Sequence, residues 1–194
     1  MHPWIAKATL LLGIVAVVAI RAPYGRRSSR IKVIQSKRGK AEITLLSAMW
    51  LGSVVLPFLW IATPLLSFAD YPLHALQYAV GVAVFSLGLW LFYRSHADLS
   101  TNWSVSLDIR EDHQLITSGV YRHLRHPMYS AILLQAVGQA LIAPNWIVAT
   151  VYPGAFLLMC ALRIGPEEQM MLQQFGQRYE LYRRDSRRLI PFLW

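Results

Sequence analysis

The sequence holds a single cysteine, Cys160, in 194 residues. That excludes an intrachain disulfide framework and any thiolate zinc cluster of the CxxC kind. Charge is scarce as well, at 15% of residues, against about 25% in an ordinary soluble domain. Acids are scarcer than bases, 10 against 19, which leaves a formal net charge of +9. No Gly-x-Gly-x-x-Gly follows a strand-like run, so no Rossmann-type domain is expected. There is no internal repeat and no low-complexity tract. The positive charge alone would suit a nucleic-acid binder. A mean hydropathy of +0.37 and the absence of an aromatic-interleaved basic surface argue against that class.

Long apolar runs fill the space that charge vacates. Ile43 to Ala69 gives 27 residues without Asp, Glu, Lys or Arg, Tyr71 to Tyr93 gives 23, and His126 to Leu162 gives 37. A membrane-spanning helix needs about 20 such residues. The first two runs therefore read as one span each. The third would reach about 55 Å as a single helix, too long for a bilayer. Ala143-Pro144-Asn145 is a turn signal near its middle. It divides the run into a hairpin of two shorter helices, Pro127–Ile142 and Trp146–Leu162. Trp4–Ile20 adds a fifth span, with Lys7 able to snorkel. A cleavable signal peptide would carry its positive charge before the apolar run. Here the bases follow it, which favours a retained span.

Five spans place segments 21–42, 94–125 and 163–194 on one side, and these hold 18 of the 19 Lys and Arg residues. The positive-inside rule makes that side cytoplasmic and leaves the N-terminus outside. Segment 21–42 then reads as a topology determinant that also meets anionic lipid headgroups. The tryptophans Trp4, Trp60, Trp90, Trp103 and Trp146 fall near span ends, as an aromatic belt would. His74 and Cys160 fall within spans and read as packing residues.

The acids carry a second message. Eight of the ten lie within residues 96–185, together with His96, His113, His123, His126 and several tyrosines. A basic tether needs none of these; a polar site at the membrane surface does. Asn102–Ile109 alternates apolar and polar residues, suggesting an extended piece. Arg122-His123-Leu124-Arg125-His126-Pro127 runs into the fourth span, where Pro127 suits the first helical turn. Gly165-Pro166-Glu167-Glu168 reads as the start of a separate C-terminal helix, interrupted at Phe175-Gly176 and ended by Arg183, Arg184, Arg187 and Arg188. Plainer roles exist for each. Arg163 could be a positive-inside anchor, and Glu167 and Glu168 could serve the helix dipole. His123 and His126 have a spacing that can bind metal, but no further ligand motif accompanies them, and no metal is expected. Tyr179 and Tyr182 read as packing.

Gly119-Val120-Tyr121, Arg125-His126-Pro127-Met128-Tyr129, Glu167-Glu168 and Phe175-Gly176-x-x-Tyr179-x-x-Tyr182 together resemble the isoprenylcysteine carboxyl methyltransferase family, whose wider relatives include phospholipid methyltransferases. The resemblance is specific over Leu99–Pro191 and rests on hydropathy and span count over 1–93. It implies an all-α membrane protein of five transmembrane helices. Three lie in 1–93, and a methyltransferase core occupies 94–194, with a cytoplasmic cofactor-binding segment and a C-terminal helix. It implies S-adenosylmethionine as cofactor and the carboxylate of a lipid-modified cysteine, entering from the bilayer, as methyl acceptor. By the same resemblance His113, Gln114, Leu115, Ile116, Tyr121, His126, Pro127, Met128, Tyr129 and Glu167 hold the cofactor, with Ser106 a weaker match. Arg163 faces the acceptor carboxylate, and Glu167 is a second catalytic candidate. The same fold acting on a phospholipid amine or a small thiol is the nearest alternative. An NADPH-dependent membrane reductase, or a small scaffold or channel, is more distant.

Overall fold

The computed structural model describes residues 3–28, 33–36, 39–99, 108–110 and 114–190. Among these residues there are seven α-helices: α1 (Pro3–Ser28), α2 (Lys40–Trp50), α3 (Leu56–Ala62), α4 (Ala75–Leu99), α5 (Pro127–Ile142), α6 (Trp146–Phe175) and α7 (Gln177–Asp185). Trp4–Arg27, Glu42–Ala62, Ala75–Leu99 and Trp146–Phe175 are each long and apolar enough to cross a membrane, and α5 is a shorter apolar helix. The five apolar segments expected from the sequence are thus all helical. Leu12, Phe68, Leu76 and Leu157 stand exposed on this body, as lipid-facing side chains do.

One small ladder joins the helices. β1 (Val33–Ser36) pairs antiparallel with β2 (Asp108–Arg110), with an irregularity between Val33 and Gln35. β2 meets the extended expectation at the end of Asn102–Ile109; residues 102–107 lie outside the described ones.

Between α2 and α3 the helix widens into a π turn at Leu51–Val55. Pro57 lies just beyond and has no N–H to give. Leu56 N–H reaches back five residues to Leu51 O, and the carbonyl of Gly52 is taken by Gln139 Nε2 of α5 at 2.9 Å. The proline's missing donor is replaced by a buried side chain from another helix. In a bilayer such a replacement matters more than in water, because no solvent can fill the gap.

Small residues let α4 and α5 approach closely. A Cβ on Gly138 would come 2.6 Å from Phe85 Cβ, and one on Gly88 would come 2.9 Å from Gln135 N. At one end of the bundle, Asn145 is fully buried and ties three elements. Its Oδ1 accepts from Ile147 N and Val148 N, capping α6, and its Nδ2 donates to Asp70 Oδ1 and Leu66 O. Asp70 Oδ1 also accepts from Trp60 Nε1 at 2.8 Å. Trp60 is therefore a core residue, 2% exposed, rather than part of an aromatic belt. Trp4, Trp90 and Trp146 are exposed as a belt requires. His74 lies before α4 begins and is exposed, not within a span.

The sharpest departure from expectation is α6. Its 30 residues pass through Gly165-Pro166 without a break, for a length of about 45 Å. Glu167 and Glu168 thus extend the fifth span rather than opening a new helix. The break comes at Gly176, whose φ of +53° suits a residue without a Cβ. α7 follows from Gln177.

Candidate active site

The last turn of α4 sets the first wall. Asp98 Oδ2 accepts from Val120 N–H at 2.9 Å, and Arg94 holds its other oxygen at 3.2 Å. This fixes the 3₁₀ turn Gly119–Arg122 and buries Tyr121. Gly119 has φ +60°, and a Cβ there would collide with the Asp98 carboxylate. Glycine is required on both counts.

The chain beyond α7 then clamps the start of α5. Arg125 N–H donates to Arg187 O at 2.7 Å and His126 N–H to Arg188 O at 3.0 Å, while Arg187 N–H donates to His123 O at 3.0 Å. Tyr182 Oη donates to the carbonyls of Tyr121 (2.6 Å) and Leu124 (3.2 Å). Pro127, which needs no donor partner, opens α5 directly after the clamp.

Two adjacent acids of α6 meet this clamp. Glu168 is buried and accepts from Arg125 Nε at 2.9 Å and Arg188 Nη2 at 3.0 Å. Arg125 donates further to Arg183 O at 3.1 Å and to Ser186 O. Glu167 Oε2 accepts from Tyr129 Oη at 2.7 Å. His126 sits between the two acids, Nδ1 3.7 Å from Glu167 Oε1 and Nε2 3.5 Å from Glu168 Oε1. Its ring stacks on Tyr129, with centroids 5.3 Å apart and planes 15° from parallel. One turn before Glu167, Arg163 Nη1 lies 3.7 Å from Glu42 Oε1 of α2, and both side chains are buried.

A cavity of about 570 Å³ lies over these groups. Small-molecule sites usually fall between roughly 300 and 1,000 Å³. Gln114, Leu115, Ile116, Tyr121, His126, Met128, Tyr129, Arg163 and Glu167 all line it. Pro127 is buried beside it without lining it. His113 and Ser106 lie outside the described residues. Met159 and Tyr152 of α6 and Val17 and Ile14 of α1 line the same cavity. Nine of the residues assigned from the sequence therefore converge on one space, although they span 54 positions of chain.

Some participants escaped the sequence reading. Tyr179 and Tyr182 line the cavity, where packing alone was expected; Tyr182 does both, since its hydroxyl also holds the Tyr121 and Leu124 carbonyls. Glu42 gives no local sign of its role, because its partner Arg163 is distant in sequence. Burial pushes the hydroxyls of Tyr121 and Tyr179 well above the ordinary tyrosine range, aided by the nearby charges of Glu167 and Glu168 respectively. Burial raises Tyr182 to about 12. These phenols stay protonated at neutral pH and act as hydrogen-bond donors, not as bases. Among the described residues, no three His, Cys, Asp or Glu side chains gather as metal ligands.

Comparison with known proteins bears on the family to which the chain belongs. A family model described as phospholipid methyltransferase matches residues 76–178. A probable protein-S-isoprenylcysteine O-methyltransferase of Oryza sativa subsp. indica is 34% identical over 89 residues, covering 46% of this chain and 47% of that protein. Protein-S-isoprenylcysteine O-methyltransferase B of Arabidopsis thaliana is 36% identical over 83 residues, covering 43% of this chain and 42% of its own. The chain thus matches about half the length of these curated relatives, or less. Among solved structures, the eukaryotic intramembrane Ras methyltransferase ICMT (isoprenylcysteine carboxyl methyltransferase) aligns with a TM-score of 0.55 at 26% identity, covering 79% of this chain and 51% of that one. The matched segment takes in more than half of the sequence and most of the cavity's polar end, and with it the chain belongs to the phospholipid methyltransferase family.

Proposed function

We propose that this multi-pass membrane protein is an S-adenosylmethionine-dependent methyltransferase that esterifies the carboxylate of an isoprenyl-modified cysteine. The observation that carries the reading is a single cavity joining a polar end, with His126, Tyr129 and Glu167, to Arg163 and an apolar interior.

The residues fit the cofactor. Tyr121 and Tyr129 offer aromatic faces for a sulfonium cation or an adenine. Glu167, with one oxygen engaged by Tyr129 and its side chain 28% exposed, keeps acceptor capacity for a ribose hydroxyl or an ammonium. Gln114, Leu115, Ile116, His126 and Met128 close the walls around that space. When bound, S-adenosylmethionine would supply a methyl group on an electron-poor sulfur.

The acceptor needs little from the protein except placement. A carboxylate is already ionised at neutral pH, so no base has to remove a proton. Alignment and exclusion of water are the main contributions left. Arg163 suits the carboxylate through a two-pronged contact. A prenyl chain stays in an apolar interior at a gain of about 0.8 kcal/mol per CH₂. In this reading the polar end faces the cytoplasm, the N-terminus lies outside, and α4 links the N-terminal helices (1–93) to the methyltransferase core (94–194).

The alternative on the same fold is a phospholipid amine, favoured by the description of the matching family model. An ammonium near pKa 10 must lose a proton first, and a base such as Glu167 or a histidine would have to take it. Titration of the purified protein with S-adenosylhomocysteine and with NADPH, followed by an acceptor panel with radiolabelled methyl donor, tests the reading. Binding of the first and transfer to an S-farnesylcysteine carboxylate are expected. NADPH binding without S-adenosylhomocysteine binding would sink it. Arg163→Ala should abolish transfer while leaving S-adenosylhomocysteine affinity within about twofold; equal loss of both would contradict the assigned role.

A further inference from the structure

Arg21 is counted by the sequence among the basic residues that set topology. Its position separates it from that group. All three of Arg21, Arg26 and Arg27 are exposed, but Arg21 alone of them lines the cavity. So do Ile14, Val17 and Val18 of the same helix. A spacing of three and four residues puts all four on one face of α1. From Ile14 to Arg21 that face runs about 10 Å along the helix axis. An apolar stripe ending in a guanidinium is the complement of an amphiphile, with its chain along Ile14–Val18 and an anionic head at Arg21.

Arg163 of α6 lines the same cavity. Arg163 already faces the Glu42 carboxylate across 3.7 Å. An acceptor carboxylate brought to Arg163 alone would also meet the negative charge of Glu42. Arg21 adds a second guanidinium to the cavity wall that an incoming anion would meet. We propose that Arg21 is a second residue for the acceptor head, which with Arg163 makes the site select an anionic amphiphile over an amine or a neutral one. This inference rests on the carboxylate reading above and assigns a specificity determinant to α1, outside the matched family segment.

The test uses the full chain in detergent micelles and two competitors, an S-farnesylcysteine with a free carboxylate and its carboxamide. Inhibition constants for both are measured on the wild type, Arg21→Gln and Arg21→Lys, with S-adenosylhomocysteine affinity as the check on folding. The wild type should prefer the acid, and Arg21→Gln should shrink the acid-to-amide preference about tenfold, the loss expected for a charge-assisted hydrogen bond. Affinity for S-adenosylhomocysteine should stay within about twofold. Arg21→Lys, which keeps the charge but not the fork, should fall between them. A merely structural Arg21 would weaken both competitors alike and leave the ratio unchanged; that result overturns the inference. Should Arg21→Gln fail to bind S-adenosylhomocysteine, the ratio in Arg21→Lys decides, and a wild-type ratio there overturns it equally. A wild type indifferent to acid or amide would instead refute the carboxylate reading itself, before any variant is compared.

Discussion

Replacing Glu168 by glutamine tests the architecture of the polar end without removing a cavity-lining group. Glu168 is 6% exposed at its side chain and Arg125 is 9% exposed, so their 2.9 Å contact is a buried ion pair. Breaking such a pair by removing one charge costs about 3–5 kcal/mol, because the surviving charge is left uncompensated. Two features of the structure place this case at the lower end. Arg125 keeps its hydrogen bonds to the carbonyls of Arg183 and Ser186. Arg188 is 35% exposed, so losing its pairing should add no more than about 1 kcal/mol. A total near 3 kcal/mol follows from these terms. For a chain of this size 1 kcal/mol moves the melting temperature by roughly 2–4 °C, so a fall of about 6–12 °C is expected. Thermal melting of the ligand-free protein in detergent measures it. The double variant Glu168→Met with Arg125→Met should recover part of the loss, since a buried pair replaced by apolar residues is often nearly neutral. Recovery should be incomplete, because the Arg183 and Ser186 carbonyls lose a donor. A Glu168→Gln protein melting within about 2 °C of the wild type would refute the buried-pair argument.

Tyr129→Phe removes the 2.7 Å bond to Glu167 while keeping the ring stacked on His126. Calorimetry should show S-adenosylhomocysteine binding weakened about tenfold, as befits one hydrogen bond to a charged group. Gly119→Ala forces an L side chain to φ +60° and against Asp98, and should lower stability by at least 1–2 kcal/mol, read as a lower melting temperature. Gln139→Leu leaves the Gly52 carbonyl of the π turn without its 2.9 Å donor. A loss of about 1–3 kcal/mol in a melting experiment is expected, with cofactor affinity nearly unchanged.

How far these features can be read from sequence depends on the distance over which each is determined. The limits of α5 are legible: Pro127 can only begin a helix comfortably, and Ala143-Pro144-Asn145 ends one. The break at Gly176 is legible for the same local reason. The passage of α6 through Gly165-Pro166 is not, since proline normally marks a helix start or a kink. There tertiary contacts decide: Arg163 before the proline is held by Glu42, and Glu167 and Glu168 after it are held by Tyr129, Arg125 and Arg188. The gathering of Tyr121, His126, Tyr129 and Glu167 was carried by motif order. Their partners were not, because the pairing of Glu42 with Arg163 leaves no periodic trace in either segment. Trp60 makes the same point, its place near a span end being compatible with a lipid belt until Asp70 takes its N–H.

The cavity divides along the same line as the family match. Tyr121, His126, Tyr129, Arg163 and Glu167 lie within residues 76–178. Ile14, Val17, Val18, Arg21, Met49 and Trp50 form another wall and lie before it. The first group has the chemistry for a methyl donor and a carboxylate; in the proposed function the apolar members of the second would meet the hydrocarbon part of the acceptor, with Arg21 at their polar end. On the proposed function, exchanging the first group should alter whether transfer occurs, whereas exchanging the second should alter which amphiphile reaches the reacting position. Five of the six methionines, Met49, Met128, Met159, Met170 and Met171, line the cavity. Unbranched thioether side chains adapt to ligands of differing shape better than branched ones do. Such a wall should tolerate changes in chain length and branching while the charged head stays under stricter control. The expected acceptor profile is therefore steep in head-group charge and shallow in chain structure.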